Sequence, residues 1–98
     1  MSTDTPGNPA SRELGFCPCC GYRTLPEGRP GSYEVCPVCH WQDDPTQFRD
    51  PDYVGDANAV SLREARKNFR EHGACNAAFV EETQEPPRSA RRDPNWPY

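Results

Sequence analysis

Two cysteine pairs, Cys17-Pro18-Cys19-Cys20 and Cys36-Pro37-Val38-Cys39, stand fifteen residues apart. That separation falls inside the C-x2-C-x15-20-C-x2-C spacing of a tetrahedral metal site. Two cysteines three positions apart face one point only when the chain between them reverses tightly. Pro18 and Pro37 preset φ near -65° directly after each first cysteine, which favours that reversal. Gly21 follows the first pair, where a residue without a Cβ takes positive φ and lets backbone N–H groups turn toward sulfur. His40 fills the same place after the second pair. The candidate ligands are therefore Cys17, Cys20, Cys36 and Cys39, and four thiolates suit Zn2+ in a closed, structural shell. Spacing alone does not separate zinc from iron.

The rest of the chain makes such a site necessary. Apolar and aromatic residues concentrate between positions 16 and 80, within 98 residues that include 12 prolines and have a mean hydropathy of -0.99. A segment of that size and polarity cannot bury a large core, and such domains rely on metals or disulfides. The opening MSTDTPGNPASRELG has neither a basic start nor an apolar run, and no apolar segment is long enough to span a membrane. The chain thus reads as cytoplasmic, where six cysteines are ligands or reactive thiols rather than a disulfide framework. Cys19, inside the first turn, reads as a free thiol at its tip, with an alternate-ligand role beside Cys75 or His40 as the other option. Cys75 itself reads as a small buried hydrophobe.

Residues 21–25 and 32–36 read as two short strands joined by the proline- and glycine-rich turn 26–31, with a cysteine knuckle at each end of the hairpin. Tyr22, Tyr33, Val35 and Trp41 are the candidate apolar cover beside the metal. Ser61-Leu62-Arg63-Glu64 is a capping box, and Val60 before it is placed to staple onto Ala65. The helix it opens should end at His72 with Gly73 as its cap, using Leu62, Ala65 and Phe69 as its apolar face. A second short helix is expected within 74–82. The expected fold is thus a small, metal-stabilised α+β domain: a zinc-ribbon or rubredoxin-like β-hairpin with two knuckles, followed by one or two helices. Residues 1–13 and 83–98 read as disordered flanks of a cysteine-rich domain over 14–82, the second being proline-rich and polar with Arg88, Arg91, Arg92, Trp96 and Tyr98 as a candidate linear motif.

Three stretches, CPCCGYRTL, GSYEVCPVCHWQDD and DPDYVGDANAVSLREARKNFREHGAC, resemble in sequence and order the cysteine-rich CPCC proteins, which are small and mostly bacterial. That resemblance implies a metal-binding domain and no established reaction. The knuckles also resemble those of rubredoxins, which makes an iron electron carrier the alternative; the gap between the pairs is shorter than theirs, and the helix that follows is foreign to them.

Other functions fit less well. A thiol redox enzyme of the thioredoxin type needs its C-x-x-C at a helix N-terminus, whereas Gly21-Tyr22-Arg23-Thr24 suggests a strand. A net charge of -4, made more negative by four thiolates around one divalent ion, opposes nucleic-acid binding. Asp50, Asp52, Gly55 and Asp56 echo a calcium loop, but Val54 and Ser61 stand where two of its ligands are required. No catalytic constellation stands out. The expected function is a non-enzymatic module that presents the acidic stretch DDPTQFRDPDYVGD to another protein.

Overall fold

The computed structural model describes residues 15–25 and 31–96. Residues 26–30 of the expected turn over 26–31, and the N-terminal flank, lie outside them. In chain order the elements are helix α1 (Pro45–Arg49), helix α2 (Leu62–His72) and a 3-10 helix (Ala77–Glu82).

Helix α2 has the ends that its sequence signals require. The Ser61 side chain accepts from the Glu64 N–H, and Gly73 closes the helix at φ 81°, donating its N–H to the Phe69 carbonyl. Leu62 and Ala65 are buried, and Val60 and Phe69 pack against the same core. Arg66 is buried too, and its Nε donates to the Pro18 carbonyl at 2.8 Å. Arg63 instead pairs at the surface with Asp52.

The expected hairpin is not formed. Among the described residues there is no strand, only isolated antiparallel bridges: Phe16 with Arg23, Val35 with Gln42, and Tyr22 with Arg92. The first two run across each knuckle rather than between residues 21–25 and 32–36. Each knuckle already reverses the chain, so its own flanks meet at little closure cost. Tyr33, at φ 61°, also breaks the extended run that a strand over 32–36 would need. Trp41 is buried among the cysteines and Tyr22 packs against them as expected, but Tyr33 and Val35 are exposed, and Leu25 and Val38 complete the cover.

The acidic stretch differs more sharply. Asp43 and Asp44 are fully buried. Asp44 caps α1, accepting from the Thr46 and Gln47 N–H groups, and its second oxygen accepts from Ala57 N–H at 2.9 Å. Asp43 accepts from the backbone and hydroxyl of Ser32. Gln47 extends the network: its Nε2 donates to the carbonyls of Tyr53 and Val60, and its Oε1 accepts from Asn58. Asn58 in turn exchanges hydrogen bonds with the backbone of Gln42. Asp43, Asp44 and Gln47 of the expected display surface thus form a buried frame that fastens residues 50–60 to the second knuckle. The aspartate before Pro45 was the local signal for α1, because a capping carboxylate followed by proline at the first helical position is a helix start.

The C-terminal stretch expected to be loose also differs. Residues 91–96 return to the first knuckle: Arg23 N–H donates to the Arg91 carbonyl, and Asp93 N–H donates to that of Gly21. Residues 97 and 98 lie outside the described set.

Candidate metal centre

The two knuckles share the same pair of backbone–backbone hydrogen bonds. In the first, Cys17 N–H donates to Tyr22 O at 2.8 Å and Gly21 N–H to Cys17 O at 2.9 Å. In the second, Cys36 N–H donates to Trp41 O at 2.9 Å and His40 N–H to Cys36 O at 2.8 Å. Both close on a left-handed residue, Gly21 at φ 82° and His40 at φ 72°. Glycine is needed only in the first: a Cβ built on Gly21 would lie 2.4 Å from Trp96 Cδ1. The His40 ring has room to stack on Phe79, with centroids 4.5 Å apart.

Folding in this way brings Cys17, Cys20, Cys36 and Cys39 together, all buried, with their sulfurs within 4.8 Å of one another. A regular tetrahedron with sulfurs about 2.3 Å from a central ion has edges of about 3.8 Å. Cys17 Sγ lies 3.6 Å from Cys39 Sγ, and Cys20 Sγ lies 3.7 Å from Cys36 Sγ. These separations fit a shared ion, and all six cysteines are free thiols rather than disulfides.

The site is dry, and burial disfavours charge on most of its sulfurs. Burial pushes the Cys17, Cys20 and Cys39 thiols well above their ordinary range. Cys36 is shifted the other way: hydrogen bonds from Cys17, Cys20 and Cys39 favour its thiolate, with Thr24 contributing further and burial opposing. Thr24 Oγ1 stands 3.0 Å from Cys36 Sγ, and the Cys19 N–H donates to Cys17 Sγ at 3.4 Å. A cation is the group that would let all four thiols lose their protons together. Four thiolates around a divalent ion leave two net negative charges, and the guanidinium groups of Arg66 and Arg92 approach the first knuckle through the carbonyls of Pro18 and Cys20.

Cys19 is a free thiol, as expected at the turn tip. It is fully buried, yet it lies outside the group of four. His40 likewise lies outside that group. Cys75 is 1% exposed, packs in the core, and ties its N–H to the Cys39 carbonyl. Burial, with the charges of Cys19 and Cys36 contributing, pushes the Cys75 thiol up to about 12 from the ordinary 9.0. The folded chain therefore keeps this proton between about 9 and 12, where the unfolded chain has released it. The Cys75 contribution to stability is complete below about pH 9 and declines as pH rises toward 12. Cys75→Ala should flatten that alkaline decline in urea unfolding series without changing the metal content.

Among the described residues no helix is long and apolar enough to cross a membrane. No curated protein matches the chain. A family model described as Cysteine-rich CPCC matches residues 15–90, a span that takes in both knuckles, α2 and the 3-10 helix, and the chain belongs to the cysteine-rich CPCC family.

Proposed function

We propose that the chain binds one zinc ion in a structural Cys17, Cys20, Cys36 and Cys39 site and acts as a non-enzymatic module that recognises another protein. The observation that carries the metal reading is the convergence of four buried sulfurs within 4.8 Å of one another, with the Cys17–Cys39 and Cys20–Cys36 separations close to a tetrahedral edge. Complete burial of all four supports a structural role, because a catalytic ion keeps one position open to water or substrate.

The recognition surface is smaller than the sequence suggests. Asp43 and Asp44 are buried, and Asp52 is engaged by Arg63. The exposed part is the tip around Asp50, Asp56, Tyr53 and Val54. Acidic groups beside exposed apolar side chains suit a partner with a cationic, partly apolar patch.

Elemental analysis of the purified protein tests the metal, with one equivalent of zinc expected. One equivalent of iron with a visible thiolate band would instead make it an electron carrier. Asp50→Lys with Asp56→Lys tests the surface, since neither substitution enters the buried frame. Loss of a captured partner with unchanged metal content is expected, and an unchanged set of partners would contradict the surface assignment.

A further inference from the structure

The two knuckles match in their backbone–backbone hydrogen bonds but not in what covers them. Three successive carbonyls of the first knuckle each accept a side-chain donor: Pro18 from Arg66 Nε, Cys19 from Trp96 Nε1 at 3.0 Å, and Cys20 from Arg92 Nε at 3.2 Å. Those of the second accept backbone donors from the body of the domain, Pro37 from Gln84 and Cys39 from Cys75. Two of the three covers on the first knuckle thus come from residues 91–96.

That segment is seated as a bound peptide would be. It adds a short antiparallel bridge to Tyr22 and exchanges backbone hydrogen bonds with Gly21 and Arg23. The Arg92 guanidinium lies between two rings, 4.3 Å from the Tyr22 centroid and 3.6 Å from that of Trp96. Trp96 meets Phe69 edge-on at 6.0 Å and lies where a side chain on Gly21 would otherwise be. Asp93 is the one residue of the segment that is buried. The connection over 84–90 is mostly exposed and contains Pro86-Pro87 and no helix or strand. The family match ends at residue 90, so the groove belongs to the family's domain and the segment filling it follows that domain.

We propose that residues 91–96 are a detachable strap, docked in cis in a peptide groove on the first knuckle, and that its release opens the metal centre from the Cys17 and Cys20 side. The asymmetry of cover sets the direction. Undocking uncovers the carbonyls of Cys19 and Cys20 and the face over Gly21, while the covers of Pro37 and Cys39 stay in place. Attack by a chelator or an electrophile then begins at the first knuckle.

The test uses the full-length protein as purified with its metal, in Trp96→Ala and Arg92→Gln forms. Arg92→Gln removes the cation between the rings and the Nε hydrogen bond to the Cys20 carbonyl, and serves where the Trp96 variant does not fold. Each form is alkylated for short times and the label mapped by mass spectrometry in singly modified molecules. Labelling should be about tenfold faster than in the parent and should sit on Cys17, Cys19 or Cys20, with Cys36, Cys39 and Cys75 behind. A synthetic peptide of residues 91–96 at about 1 mM, the order of the effective concentration of a short tether, should restore protection to the variants. Unchanged rates, first labels spread over both knuckles, or no protection by the peptide would overturn the strap. The inference rests on the metal-centre reading only for what is being guarded. Metal content measured on the same sample separates the two: an ion-free sample contradicts that reading, while the order of labelling still judges the strap.

Discussion

Cys39→Ser is expected to leave the chain without bound metal and largely unfolded at neutral pH, and Cys17→Ser, Cys20→Ser and Cys36→Ser should do the same. Structural zinc contributes on the order of 10–16 kcal/mol to folding of small domains, whereas whole domains are stable by only about 5–15 kcal/mol. A chain that loses the ion therefore has little left to hold its fold. The remaining apolar core consists of a few side chains, chiefly Phe16, Leu25, Val38, Trp41 and Leu62. The contrast within the same cluster makes the expectation specific. Cys19→Ala and Cys75→Ala remove sulfurs equally buried but outside the group of four, and they should keep one equivalent of metal with a loss of about 1 kcal/mol. Metal content and far-UV circular dichroism across the six single variants check this. Acid should act as the ligand substitutions do. Cys17, Cys20 and Cys39 are held toward their protonated forms by burial, so protons compete with the ion and occupancy falls as pH is lowered.

Asp44→Ala should cost on the order of 3–4 kcal/mol, a large effect for an aspartate in a stretch that reads as solvated loop. Its carboxylate is fully buried and accepts three backbone N–H groups, from Thr46, Gln47 and Ala57. Removing it takes away the cap of α1 and leaves those donors without their acceptor in the interior. Asp56→Ala, in the same stretch but exposed, should change stability by less than about 0.5 kcal/mol. Urea unfolding of the metal-loaded variants measures both. Equal, small effects would show that the network through Gln47 and Asn58 does not fasten residues 50–60 to the second knuckle.

What the sequence made legible was local. The grouping of Cys17, Cys20, Cys36 and Cys39 follows from a three-residue spacing and a proline in each turn. Helix α2 follows from Ser61, Glu64 and Gly73, whose roles are set within one turn of the chain. The features that escaped are those in which a residue's role depends on a distant partner. Asp43 and Asp44 count as surface charge by composition, and it is the donors brought to them by folding, backbone N–H groups and the Ser32 hydroxyl, that make their burial possible. Arg92 sits in a polar, proline-rich stretch without periodicity, yet it reaches the carbonyl of Cys20, 72 positions away, because Tyr22 and Trp96 flank its guanidinium. The expected hairpin does not form for a related reason. Alternation over 21–25 and 32–36 marks extended backbone but not its partner, and each knuckle supplied a nearer one.

Native mass spectrometry of the full-length protein, before and after treatment with a strong chelator, bears most directly on the central claim that one ion shared by two knuckles holds this chain folded. The expected spectrum shows one ion per chain in a narrow distribution of low charge states, shifting to a broad distribution of high charge states when the ion is stripped. A chain that stays in the narrow, low-charge distribution with no ion bound would contradict it.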